Sequence, residues 1–168
     1  KILKTIWKKI ITDFYQNGII ATLHNLNNAN TKALEKQLNY IADDKPMELI
    51  LPCLFSELES DALKSILNKI NKVNFLQHII IGLDKANQEQ FNFAKKYFSS
   101  LNASHSILWN DGPRLQKLQK ELNQKELANV EDGKGKNVWY CIGFAIARNS
   151  AEAVVFHDCD IKTYDESI

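Results

Sequence analysis

Residues 47–84 read MELILPCLFSELESDALKSILNKINKVNFLQHIIIGLD, and this stretch decides the fold class. Residues 47–51 are an apolar run that predicts a strand ending at Pro52. Residues 60–73 carry Leu63, Ile66, Leu67 and Ile70 at helical spacing behind Ser60, a natural N-cap. Residues 77–82 are rich in β-branched side chains and predict a second strand. The apolar residues of both strands follow one another in succession rather than alternating with polar ones. Both faces of their sheet must then be covered, which is the mark of a parallel sheet crossed over by helices.

The same alternation continues downstream. Asn87 with Gln90 three residues on is a capping pair that opens a helix running to about Ser99. Residues 105–109 predict a third strand. Asp111-Gly112-Pro113 starts a helix reaching about Asn123, with Pro113 near its first turn. Residues 125–135 are polar and read as a loop, 136–149 as a helix and 153–157 as a fourth strand. Upstream, Ile2, Leu3, Ile6, Trp7, Ile10, Ile11 and Phe14 follow a helical period that Asn17-Gly18 ends. Residues 19–26 are a short apolar run. A further helix begins near Thr31, with Leu34, Leu38 and Ile41 as its stripe, and stops at Asp43-Asp44-Lys45-Pro46. The expected architecture is α/β: a mostly parallel, Rossmann-like sheet over 46–168 behind a mainly helical extension over 1–45. Strand C-terminal ends then share one edge, and ligands bind outside it. That edge should carry residues 52–57, 82–84, 110–112 and 158–160.

Composition narrows the function classes. The 168 residues are 45% hydrophobic and 24% charged, ordinary values for a globular domain. Twenty-one Lys and Arg against 20 Asp and Glu leave a net charge of +1, which gives no general attraction to nucleic acid or an anionic membrane. Three cysteines are too few for a disulfide framework and fit a reducing, cytoplasmic setting. No run of about 18 or more apolar residues is present, so no membrane span is expected.

Several residue groups can carry chemistry. Asp158-Cys159-Asp160 follows the fourth strand, and two carboxylates so spaced can hold a hard divalent cation, Mg²⁺ or Mn²⁺. As a bare pattern, the same three residues are also a common solvated turn. Gly133-Lys134-Gly135-Lys136 can approach phosphate, although it lacks the spacing of a Walker A loop. Glu57 and Asp84 fall after the first two strands, where acids accept hydrogen bonds from ribose or a base. No glycine follows the first strand, which argues against a nicotinamide dinucleotide. His24, His78, His105 and His157 form no zinc-binding spacing, and His157 reads as a half-buried strand-end residue. Cys53, Cys159, Trp109 and Trp139 read as packing residues.

Taken together, the segments around Pro52, Leu54 and Glu57, around Asp84, Trp109-Asn110-Asp111-Gly112-Pro113-Arg114, Gly133–Trp139 and Phe156–Asp160 occur in an order that closely resembles the nucleotide-binding half of GT-A glycosyltransferases. Within these it is similar to the glucosyl-3-phosphoglycerate synthases and their mannosyl-transferring relatives. The resemblance covers about residues 18–168. It implies a nucleotide-diphosphate-sugar donor, UDP- or GDP-glucose, with Mg²⁺ or Mn²⁺, and 3-phosphoglycerate as acceptor in a longer protein, with retention of configuration. Pro52, Leu54 and Glu57 would line the base and ribose pocket, Asp84 its rim, and Lys134 would touch the nucleotide or its diphosphate. Asp160 would be the direct metal ligand, with Asp158 as second ligand or ribose contact. Asp160 and Lys134 are then the catalytic candidates. The resemblance also implies that the chain, which stops just past the acidic pair, is the donor part of a larger transferase. A homodimer is an open expectation, because the amphipathic N-terminal helix can pack on a partner.

Two alternatives stand beside this reading. A haloacid-dehalogenase-type phosphatase places D-x-D-x-[TV] after an apolar strand, with the first Asp, here Asp158, as nucleophile. Lys162 holds the Thr/Val position, and the motif falls late in the sheet sequence. The other alternative is a non-catalytic nucleotide-binding module.

Overall fold

The structure, a computed structural model, describes residues 30–127 and 132–165. The helix expected over the first residues and the apolar run at 19–26 lie outside the described residues. Helix α1 (Thr31–Ala42) starts at the cap Asn30, whose side chain accepts from the Ala33 N–H at 3.3 Å. Its predicted stripe is not buried: Leu34 and Ile41 are exposed.

Then the strand–helix alternation begins: β1 (Met47–Leu54), a 3-10 turn (Phe55–Glu59), α2 (Asp61–Ile70), β2 (Leu76–Asp84), α3 (Gln88–Phe98), β3 (His105–Trp109), α4 (Pro113–Gln124), α5 (Lys134–Arg148) and β4 (Ala153–Phe156). The helix starts follow their local chemistry. Ser60 Oγ accepts from Leu63 N–H at 3.2 Å. Asn87 and Gln90 cap each other's backbones at 2.9 and 2.8 Å.

The sheet is parallel throughout, in the order β3-β2-β1-β4. Odd-numbered residues of the central strands (Leu49, Leu51 and Cys53; Ile79, Ile81 and Leu83) pack against Leu63, Ile66 and Leu67 of α2 and against Ala94 and Phe98 of α3. Even-numbered Ile50 and Ile80 pack on Cys141 and Ala145 of α5. Both faces of β1 and β2 are therefore covered, and each Leu or Ile taken from water contributes about 1.5–3 kcal/mol. Contact on the α5 face is close. A side-chain carbon on Gly82 would lie 1.8 Å from Asn137 Oδ1, and the Asn137 amide donates to the Gly82 carbonyl at 2.7 Å.

Two boundaries and the burial of the outer strands differ from the sequence expectation. β1 runs on past Pro52 to Leu54. Ile50 C=O accepts from His157 N–H at 3.1 Å, just beyond β4. By period-two alternation, the missing N–H of Pro52 points to that same side, where the neighbouring strand has already ended. The outer strands are not buried on both faces: β3 is half-buried and β4 exposed, because each has only one neighbour among the described strands. Helix α5 begins at Lys134 rather than 136, so Lys134 and Gly135 belong to its first turn.

Candidate functional site

The chain adds β2 and β3 on one side of β1, then returns to the other side for β4. The strand order therefore reverses between β1 and β4, the place where open α/β sheets bind ligands. A cavity of about 250 Å³ opens there. It is lined by Pro52, Leu54 and Glu57 from β1 and its turn, Asp84 from β2, Lys134 from α5, and Asp158 and Asp160 after β4. Every site residue singled out from the sequence thus borders one cavity. A second, polar cavity of about 570 Å³ adjoins it and shares Asp84, Lys85 and Gly133.

The 3-10 turn after β1 fixes Glu57: one carboxylate oxygen accepts from Leu54 N–H at 2.7 Å, and its carbonyl accepts from Ser60 Oγ at 2.7 Å. The acid therefore enters the cavity already held by backbone. Asp84, the last residue of β2, is buried. The segment after it is clamped by residues of the Trp109–Arg114 run. Trp109 Nε1 donates to the Ala86 carbonyl at 2.7 Å, and an Asp111 carboxylate oxygen accepts from Ala86 N–H at 3.0 Å. Trp109 also stacks on Phe91 with centroids 4.7 Å apart. That run acts by bracing the cavity wall. Between Asp84 and Ala86, Lys85 adopts a left-handed backbone (φ 55°) and lines both cavities.

On the opposite wall, Gly133 has φ 142°, a conformation that favours glycine, and α5 begins at the next residue. The helix N-terminus faces the cavity with backbone N–H groups and partial positive charge. Lys134 Nζ donates to an Asp158 carboxylate oxygen at 2.5 Å. That hydrogen bond chiefly raises the lysine pKa, with Asp160 and Glu57 adding to it. Two residues on, Lys136 pairs with Asp132. The sequence reading missed Lys85 and Asn137. Lys85 carried a signal, since it follows a strand end on the ligand edge. The role of Asn137 is a tertiary contact that no local pattern announces.

Asp158 and Asp160 supply hard oxygen donors, which suits Mg²⁺ or Mn²⁺. Among the described residues, no third ligand side chain clusters with the two of them. Cys53 and Cys159, buried in the core cluster, bring their sulfurs together with the Glu57 carboxylate within 4.8 Å of one another. The neighbouring Cys159 thiol and burial push the Cys53 thiol well above the usual range. His157 faces away from the cavity: its Nδ1 lies 2.6 Å from the Tyr164 hydroxyl, and burial lowers its pKa. Trp139, expected in the core, is exposed on α5, while Trp109 packs as expected.

No family model matches the chain. It is 36% identical over 158 residues to glucosyl-3-phosphoglycerate synthase of Persephonella marina, covering 94% of this chain and 39% of that protein. It is 34% identical over 154 residues to glucosyl-3-phosphoglycerate synthase of Methanococcoides burtonii, covering 90% of this chain and 37% of that protein. The chain thus spans under two-fifths of the curated relatives it matches. A crystal structure of glucosyl-3-phosphoglycerate synthase from Mycobacterium tuberculosis, in complex with Mn²⁺, uridine diphosphate and glucosyl-3-phosphoglycerate, superposes with a TM-score of 0.49 at 19% identity, covering 84% of this chain and 41% of that one. None of these relatives supports the phosphatase alternative. Among the described residues no helix is long and apolar enough to cross a membrane.

Proposed function

Proceeding from a chain related along nine-tenths of its own length to the glucosyl-3-phosphoglycerate synthases, we propose that the cavity at the β1/β4 switch point binds a nucleotide-diphosphate-glucose donor. The chain then serves as the donor-binding part of an enzyme that transfers glucose to 3-phosphoglycerate with retention. The observation that carries this reading is the meeting of Glu57, Asp84, Lys134, Asp158 and Asp160 around one cavity.

The residues have distinct tasks. Glu57, held by the Leu54 N–H, offers its other oxygen to a ribose hydroxyl or base N–H. Pro52 and Leu54 give the base an apolar wall. Lys134 and the first turn of α5 offer a point charge and free N–H groups to the diphosphate. Without a donor, Lys134 is held by Asp158; with one, it turns to a phosphate oxygen. Asp160, with Asp158, would hold the divalent cation. When bound, that cation supplies Lewis-acid stabilisation of the charge that builds on the departing nucleoside diphosphate. Lys134 stabilises the same charge from the protein side.

Calorimetric titration of UDP-glucose and GDP-glucose into the 168-residue chain, with and without Mn²⁺, tests the reading. Metal-dependent binding of at least one donor is expected. Asp160→Asn should weaken it about a hundredfold, roughly 2.7 kcal/mol, while His157→Gln keeps most of it. Absence of binding to both donors with metal overturns the assignment, as does the reverse order of the two variants.

A further inference from the structure

The cavity holds two donor sets of different chemistry. Asp158 and Asp160 are hard. Cys53, Cys159 and Glu57 are a second set, with two sulfurs and a carboxylate oxygen all within 4.8 Å of one another. Among the described residues this is the sole cluster of three such groups. It joins two elements distant in sequence, the end of β1 with its turn and the segment after β4, and all three residues line the cavity. All three cysteines of the chain are free thiols.

We propose that Cys53, Cys159 and Glu57 form a binding site for a thiophilic divalent cation of the Zn²⁺ class, separate in its ligands from the Asp158–Asp160 pair. Thiolate ligands select Zn²⁺ or Cd²⁺ over Mg²⁺ and Mn²⁺, which prefer carboxylates and water. The geometry is close to what such an ion needs. Zn–S bonds of about 2.3 Å and Zn–O bonds of about 2.0–2.2 Å place tetrahedral ligands about 3.5–3.8 Å apart. From separations of at most 4.8 Å, the three atoms therefore need approach by no more than about 1.3 Å to reach those ligand spacings, within reach of side-chain rotation. Glu57 spends one oxygen on Leu54 N–H and keeps the other for the ion. Cys53 gives up its 3.3 Å hydrogen bond to the Leu54 carbonyl. Binding releases the two thiol protons to solvent, and three protein ligands leave a fourth position facing the cavity. The Tyr97 hydroxyl is buried, has no hydrogen-bond partner among the described residues and lies within electrostatic reach of both thiols, so it can donate to a thiolate once one forms. A bound ion takes Glu57 and pulls on the Asp158–Asp160 segment through Cys159, so it opposes donor binding. That consequence, unlike the site itself, rests on the function proposed above.

X-ray absorption on the reduced, Zn²⁺-loaded, unsubstituted chain tests the site directly. Two sulfur scatterers at about 2.3 Å are expected, and a shell of nitrogen and oxygen alone overturns the proposal. Co²⁺ loading adds a residue-level readout through thiolate-to-cobalt charge-transfer absorption. Cys53→Ala and Cys159→Ala should each abolish the band, whereas Cys141→Ala, whose thiol lies on the other face of the sheet, keeps it. Glu57→Gln should weaken Zn²⁺ binding by at least about tenfold, the scale on which even outer partners matter. A band that survives both Cys53→Ala and Cys159→Ala, or that vanishes with Cys141→Ala, overturns the assignment. Zn²⁺ should also lower UDP-glucose affinity in the presence of Mn²⁺. A chain that shows the sulfur shell but binds no donor without Zn²⁺ keeps this site and defeats the donor reading instead.

Discussion

The two ends of the sheet each hold an ion pair, and the pairs are built on opposite terms. At the N-terminal end, Glu48 of β1 is 0% exposed and accepts from Arg148 Nε at 3.2 Å and Ser150 Oγ at 2.7 Å. Beside it His78, its register partner on β2, spans Ser104 and Ser106 at 2.9 and 3.0 Å. At the C-terminal end, the side chains of Lys134 and Asp158 are 63% and 50% exposed. Glu48 is enclosed by protein, although one of its oxygens has no partner among the described residues, and Arg148 closes over it with a side chain 30% exposed. The second pair is bordered by a cavity and can exchange partners with whatever enters. Charge on this sheet is therefore committed to protein partners where it is enclosed, and is left accessible where the strand order reverses.

The largest effect expected from this contrast is at the enclosed end. Arg148→Ala strands the buried Glu48 carboxylate with only a hydroxyl, and breaking such a pair costs about 3–5 kcal/mol. Urea unfolding should show that loss, with donor affinity of the folded fraction unchanged. A loss below about 1 kcal/mol would make the two ends equivalent and remove the contrast.

Lys134→Ala probes the other end and should do the reverse. Folding stability should shift by less than about 1 kcal/mol, because an exposed pair in water contributes little. UDP-glucose affinity should fall about tenfold, roughly 1.4 kcal/mol, and more steeply at low salt than at high. A stability loss matching that of Arg148→Ala, with intact donor affinity, would make Lys134 a structural residue.

How far the sequence could be read follows the same divide. The central strands were legible because Ile79, Ile80 and Ile81 in succession leave no solvent face, and helix starts at Ser60 and Asn87 because a cap is local chemistry. The ligand edge was legible because strand ends in a parallel sheet converge whatever their distance in sequence, so Glu57 and Asp158 could be assigned to one edge from their positions alone. Other features depend on what packs where. Pro52 sits inside a strand only because β4 stops short beside it. Glu48 looks like one acid in an apolar run until Arg148, on a helix a hundred residues away, closes over it. The Cys53–Cys159 contact depends on the register of β1 with β4. Trp139 is apolar and at helical spacing, yet it lies on the outward side of α5.

The smallest expected effect is on pH dependence, and it separates the ends without a variant in either ion pair. Burial lowers the pKa of His78, and the Arg148 charge lowers it further; burial likewise lowers that of His157. Both imidazoles thus bind protons more readily in the unfolded chain, whose value is 6.5. Their contribution to stability is complete above that value and is lost as the pH falls below it. Unfolding midpoints in urea should therefore drop between about pH 7.5 and 5.5, the interval that spans the ordinary histidine value. His78→Gln should flatten part of that slope and His157→Gln another part. Lys134, raised by Asp158, stays charged over the whole interval, so the UDP-glucose affinity of the folded protein should stay level while its stability declines. A slope that His78→Gln leaves unchanged would mean that His78 is as well solvated folded as unfolded, and the N-terminal end would no longer be the enclosed one.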